Sequence, residues 1–210
     1  MVDPRWRTVR DARELRDLVG EPAERAVRKV RPTLHDLDRQ WLAASPFCLL
    51  ATSAADGSCD VSPKGDPAGR LAHVIDDRTI ALAERPGNRR VDGYLNVVDN
   101  PHVGLLFVIP GRDDTLRING RATLVRDAPF FDELVVKGHR PILALVVEID
   151  EVFHHCAKAF LRSQLWSPET WKDELPSTAV LAKTLVAPDA PMAELEEYYG
   201  ESYGDRLYRA

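Results

Sequence analysis

Two arginines at the start of a helix are electrostatically misplaced unless something negative joins them. The run Glu84-Arg85-Pro86-Gly87-Asn88-Arg89-Arg90 reads as a strand end, a Pro-Gly turn and a helix capped by Asn88. A helix N-terminus carries unpaired amides and a partial positive charge. Cations in its first turn oppose that dipole by roughly 0.3–1 kcal/mol each when exposed. A phosphate-like anion reverses the sign, because it takes amide donors and guanidinium forks together. Read locally, the run is either an anion cradle or a solvated turn with incidental arginines.

Lys64 is a second candidate. It lies in Ser62-Pro63-Lys64-Gly65-Asp66, which reads as an irregular stretch after a strand, where a point charge can meet a phosphate or a polar ring edge. A surface turn is the competing reading. Lys158, Arg162 and Trp166 recur at i, i+4 and i+8, so one helix stripe carries two cations and an aromatic plane, either towards a ligand or along a solvated face. His154 and His155 are adjacent and point to opposite faces of a strand, so they do not chelate together. With no CxxC pair and no HExxH, no metal site is expected. Cys156 is expected as a buried thiol, since no general base can be matched to it. No Walker or GxGxxG loop occurs.

These residues need elements to position them. Residues 1–45 read as a helical layer, with Thr33 capping a segment in which Leu34, Leu37 and Trp41 recur at helical spacing. Strands are expected at 47–52, 60–62, 71–75, 79–83 and 103–109, with Asp56-Gly57 as a hairpin turn. A helix over 88–98 should turn Val91, Tyr94, Leu95 and Val98 inward. From Thr115 to Val125 the alternation is clean, with Leu116, Ile118, Ala122 and Leu124 on one face. A short helix capped by Asp127 and ended by Gly138 precedes a strand over 142–149. Helices follow at 157–166 and in parts of 177–207. Six or seven strands joined by hairpins favour an antiparallel sheet, and that number can close into a barrel. The expectation is a mainly β chain with flanking helices (α+β), one domain over residues 1–210 with a C-terminal helical segment over 157–210.

Bulk composition narrows the partners. The chain has 28 Lys and Arg against 33 Asp and Glu, for a formal charge of −5. No overall basic field favours nucleic acid or an anionic membrane, so any anion site is local. The charged N-terminus has no apolar core of a secretory signal. Cys48, Cys59 and Cys156 read as free thiols, which suits a cytoplasmic protein.

Taken in order, Ser45-Pro46-Phe47, Asp56-Gly57, Ser62-Pro63-Lys64-Gly65-Asp66, Arg85-Pro86-Gly87-Asn88-Arg89-Arg90, Asn100-Pro101, Pro110-Gly111 and Leu116-Arg117-Ile118-Asn119-Gly120 resemble the pyridoxamine 5′-phosphate oxidase-related FMN-binding family. The tail from His155 to Trp166 is similar to a bacterial subgroup of it. The resemblance covers about residues 33–170. It implies a split β-barrel and a homodimer with FMN at the interface, touched by both chains. It places Lys64 in the family's first phosphate-end motif and Asn88-Arg89-Arg90 in its second. Cys59 falls where the first motif has an arginine, for which Arg85 is the candidate substitute. Thr115 stands where the oxidase has a flavin-contacting glutamine, and the oxidase's C-terminal substrate pattern is absent, which argues against pyridoxamine phosphate as substrate.

The resulting cofactor-binding set is Ser62, Pro63, Lys64, Arg85, Asn88, Arg89, Arg90, Lys158, Arg162 and Trp166. The first reading is an FMN oxidoreductase acting on a small molecule, with NADH or NADPH as the candidate electron donor. The alternatives are a flavin carrier without turnover and a split barrel that uses deazaflavin or haem.

Overall fold

The computed structural model describes residue 3, residues 5–172 and residues 174–208. Seven strands form one sheet: β1 (Phe47–Ser53), β2 (Cys59–Gly65), β3 (His73–Val74), β4 (Thr79–Ala83), β5 (His102–Val108), β6 (Thr115–Val125) and β7 (Ala144–His155). Their order is β2-β1-β5-β6-β7-β4-β3, and every neighbouring pair is antiparallel. The sheet is not closed, since β2 and β3 are its two edges. It nevertheless wraps around one core, because Leu50 of β1, Phe107 of β5, Ile118 of β6, Val147 of β7 and Leu82 of β4 belong to the same buried cluster. This is a split barrel, mainly β with flanking helices, as expected.

The alternation of β6 holds: Leu116, Ile118 and Ala122 are buried, with Thr115 at its start an unexpected addition. Between Asn119 and Gly120 the partner in β7 moves from Glu151 to Ile149, so Asp150 is the extra residue of a bulge in β7. The strand expected over 142–149 instead starts at Ala144 and runs on to His155, leaving Ile142 exposed. The segment after β6 is a 3₁₀ turn, Pro129–Leu134, without a side-chain cap; Asp127 pairs with Arg140 rather than capping it.

The helices are α1 (Ala12–Val19), α2 (Glu24–Arg28), α3 (Asp36–Ala44), α4 (Asp92–Asp99), α5 (Lys158–Ser163), α6 (Thr178–Leu185) and α7 (Met192–Tyr198). None is long and apolar enough to cross a membrane among the described residues. Of the N-terminal three, α3 alone buries residues, through Asp38, Trp41 and Leu42. Its cap is His35, not Thr33: the ring accepts from the Leu37 amide, and Asp38 accepts from the His35 amide at 2.7 Å.

Asp38 also receives both terminal nitrogens of Arg31, at 2.7 and 2.9 Å, and pairs with His154 Nε2 at 3.1 Å. Arg31 is bound to β7 by two backbone bonds with Val152. One buried carboxylate therefore ties the entry to α3 to the end of β7. Burial pushes the Asp38 pKa up, but the Arg31 guanidinium, the His35 amide and the His154 ring outweigh it and hold the carboxyl below its usual range.

All three cysteines are free thiols. Cys156 is exposed rather than buried, because β7 ends at His155 and the chain turns outward before α5. Cys48 is buried in β1, and burial pushes its thiol up to about 12. A thiol reagent on the native protein is therefore expected to modify Cys59 and Cys156 quickly, and Cys48 only after unfolding. Three fast-reacting thiols would show that the β1 side of the core is open.

Candidate functional site

The end of β4 and the loop to α4 face the edge strand β2 across a cleft of about 440 Å³. That volume lies within the range of about 300–1,000 Å³ typical of small-molecule sites. Ser62, Pro63 and Lys64 form one wall, and Arg85, Asn88, Arg89 and Arg90 form the other. Seven of the ten residues singled out from the sequence thus come together, although Lys64 and Arg85, the nearest members of the two groups, are 21 positions apart in the sequence.

Their local settings differ from the sequence expectation. Lys64 is not in an irregular stretch: β2 runs through Pro63 and Lys64 to Gly65. Proline is tolerated because β2 is an edge strand. The helix does not begin at Asn88 either. Asn88 Oδ1 accepts from the Arg90 amide at 3.1 Å, which makes a turn short of the helix. Arg89 and Val91 then take left-handed backbone, with φ of 62° and 50°, and α4 starts at Asp92. Arg89 and Arg90 therefore lie in the loop, outside the first helical turn, and the dipole argument does not apply to them.

The inward face of α4 is also rotated from the expected one. Leu95 and Val98 are exposed, while Tyr94, Asn96 and Val97 are buried. The helix docks through Gly93, Asn96, Val97 and Asn100, which share the i, i+3, i+4, i+7 spacing. A Cβ on Gly93 would sit 3.2 Å from the Thr52 hydroxyl. Asn96 Nδ2 donates to Thr52 Oγ1 at 3.1 Å and to Asp60 Oδ2 at 2.8 Å, and Asn100 Nδ2 donates to the Ser53 carbonyl at 2.9 Å. This polar row sets the helix against β1 and β2 and turns Tyr94 into the cleft.

Most charges in the cleft are matched. Lys64 Nζ lies 3.6 Å from Glu84 Oε2 and 4.6 Å from the centre of the Tyr94 ring. The Tyr94 hydroxyl donates to the same Glu84 oxygen at 2.5 Å. Burial, then the Glu84 charge, raise the Tyr94 pKa far above its ordinary value, so it remains a donor. Arg85 is largely buried; it pairs with Asp66 at 2.7 Å and donates to the Leu134 carbonyl at 2.9 Å. Two of its five N–H donors are thus engaged, and the side chain still lines the cleft. Arg90 pairs with Asp92 at 2.8 Å. Among the described residues Arg89 has no acidic partner, so it is a cation fully available to an incoming anion.

Lys158 and Arg162 share α5, but Gln164 ends that helix with left-handed backbone, φ 51°. Trp166 folds back onto Phe160, with ring centres 5.8 Å apart, and its Nε1 donates to the Arg112 carbonyl at 2.7 Å. Within one chain none of these three lines the cleft. A second, mostly apolar cleft of about 700 Å³ lies across the Pro86-Gly87 turn, with Pro141, Ile142 and Tyr208 in its wall. Tyr208 donates to Asp66 at 2.9 Å, on the carboxylate that also holds Arg85. Sequence reasoning assigned no role to Glu84, Tyr94, Asp66 or Tyr208; the nearest signal was the position of Glu84 at the strand end beside the Pro-Gly turn.

Residues 34–156 match the family model described as pyridoxamine 5′-phosphate oxidase. No curated protein matches the chain. Among solved structures, HupZ of Group A Streptococcus is similar at 18% identity over 58% of this chain and 93% of that one, with a TM-score of 0.47. An FMN-binding protein from Syntrophomonas wolfei is similar at 15% identity over 58% and 90%, with a TM-score of 0.43. General Stress Protein 26 from Bacillus anthracis is similar at 14% identity over 55% and 88%, with a TM-score of 0.43.

Proposed function

The chain belongs to the pyridoxamine 5′-phosphate oxidase family, and from that premise we propose that it is an FMN-binding oxidoreductase acting on a small molecule. The observation that carries this reading is the cleft between β2 and the 85–91 loop, where Arg89 is a cation without an acidic partner among the described residues. The cleft suits a ligand with one anionic end and a polar, largely uncharged remainder. Bound FMN would supply hydride chemistry, and the chain would supply binding, orientation and electrostatics.

The residues have separable tasks. Arg89 and the amides around Asn88 meet the phosphate end. Ser62, Pro63 and Lys64 bound the cleft on the strand side. Tyr94 and Glu84 form its floor. Lys158, Arg162 and Trp166 reach a flavin only from a second copy of the chain, so the proposed assembly is a homodimer with two shared sites. NADH or NADPH is the proposed reductant, and the cytoplasm, which keeps thiols reduced, is the proposed compartment.

The purified protein is expected to be yellow and to release FMN on denaturation. Colourless protein that cannot be reconstituted with FMN would sink the reading. Arg89→Asn removes the charge while keeping a residue that tolerates left-handed backbone. It should weaken FMN binding by about 1–3 kcal/mol in a fluorescence titration. Unchanged affinity would move the phosphate elsewhere. Sedimentation showing a monomer at micromolar concentration would contradict the shared site.

A further inference from the structure

The cleft is lined by four acids and four bases, a formally neutral wall. Three of the bases are matched, Lys64 by Glu84, Arg85 by Asp66 and Arg90 by Asp92. Asp60 is tied to Asn96. Positive charge is therefore concentrated at Arg89 on the loop. The opposite end, at Lys64, is not a bare cation. Lys64 and Glu84 are both about four-fifths buried, so solvent screens their pairing poorly. The contacts from Lys64 and Tyr94 both fall on Glu84 Oε2, and among the described residues no donor reaches Oε1.

We propose that Glu84 gives the cleft a polarity: its carboxylate reserves the strand side for the uncharged, hydrogen-bond-donating part of the ligand and leaves the phosphate to Arg89. For FMN that part is a ribityl hydroxyl or the ring imide. The inference rests on the flavin reading and deepens it. A partly buried carboxylate repels a dianion placed beside it, and its open oxygen accepts readily from a hydroxyl or an N–H. Lys64, held by Glu84 and seated over Tyr94, then acts as a positioning residue that keeps Oε1 turned to the ligand. It is not a phosphate ligand, contrary to what its place in the family motif implies.

FMN and riboflavin differ only in the phosphate, so paired titrations separate the two ends. Binding of each is measured by flavin fluorescence for the full chain, Glu84→Gln and Arg89→Asn. Arg89→Asn is expected to weaken FMN by roughly tenfold or more while leaving riboflavin within about twofold. Glu84→Gln is expected to weaken both by the same factor, roughly three- to tenfold, because a charged acceptor becomes a neutral one. If Glu84→Gln does not fold, Tyr94→Phe removes the hydroxyl from the same carboxylate, and it too should shift both flavins together. The proposal is overturned if Glu84→Gln tightens FMN and leaves riboflavin unchanged, since Glu84 would then face the phosphate. It is also overturned if Arg89→Asn moves both flavins equally or neither. A wild-type chain that binds neither flavin overturns the FMN reading itself, whereas one that binds both with the wrong pattern overturns only the polarity.

Discussion

Replacing Asp38 with alanine is expected to destabilise the fold by about 3 kcal/mol, read as a lower urea midpoint at unchanged slope. Removing one partner of a buried ion pair typically costs about 3–5 kcal/mol, because the other charge is left unmatched. The lower end applies here, since the Arg31 side chain is 35% exposed and can regain water. The variant also strips an acceptor from the His35 amide and the His154 ring. A loss below about 1 kcal/mol would mean that α3 and β7 are held together by apolar packing alone.

The same carboxylate makes stability depend on pH, and the sign follows from the direction of its shift. Its folded pKa lies below the unfolded value of about 3.9. Its contribution is therefore complete above that value and is lost as pH falls through the folded pKa. Asp38→Asn should lack this part of the acid limb, so the wild-type and variant curves converge below about pH 4. Curves that stay parallel to lower pH would assign the acid limb to other carboxylates.

Gly120→Ala is expected to cost at least about 3 kcal/mol, at the upper end of what overpacking usually costs. A Cβ at Gly120 would collide with the Glu148 carbonyl oxygen, lie 3.0 Å from its carbon and 3.1 Å from Val147 Cγ1. Two of these atoms are backbone in the neighbouring strand, so relief requires β6 and β7 to separate at their bulge. Thermal unfolding of Gly120→Ala near wild-type temperature would show that the bulge absorbs a methyl group.

Much of this architecture could be read from periodicity. The alternation of β6 predicted its bounds and nearly all of its inward face, because one side of that strand is core and the other is polar. The Asp56-Gly57 turn was legible for a similar reason, since Gly57 takes φ 88°. α4 was not, because its docking row is Gly93, Asn96, Val97 and Asn100, and a hydropathy pattern counts the asparagines as solvent-facing. The strand character of Pro63 and Lys64 was hidden because proline argues against a strand unless the strand lies at an edge, and edges follow from the order of the whole sheet. The cations of the candidate cleft were legible by type, but their acidic partners and their pairing were not. Glu84, one residue past β4, meets Lys64 of β2, a strand that is not β4's neighbour in the sheet, and Asp38 meets His154 across 116 positions. No local pattern records either meeting.

Pro63 has a bearing on how the protein behaves when crowded. Bonds from the Asp66 amide to Pro46 and from the Ala54 amide to Ser58 show that even-numbered positions of β2 turn their backbone groups towards β1. Position 63 therefore turns its nitrogen to the outside, and that nitrogen has no hydrogen to give. A strand from another molecule that approached this border would find a gap in the middle of its hydrogen-bond ladder. The border that forms one side of the cleft is thereby a poor template for intermolecular β-pairing, and the cleft can stay open without seeding aggregation.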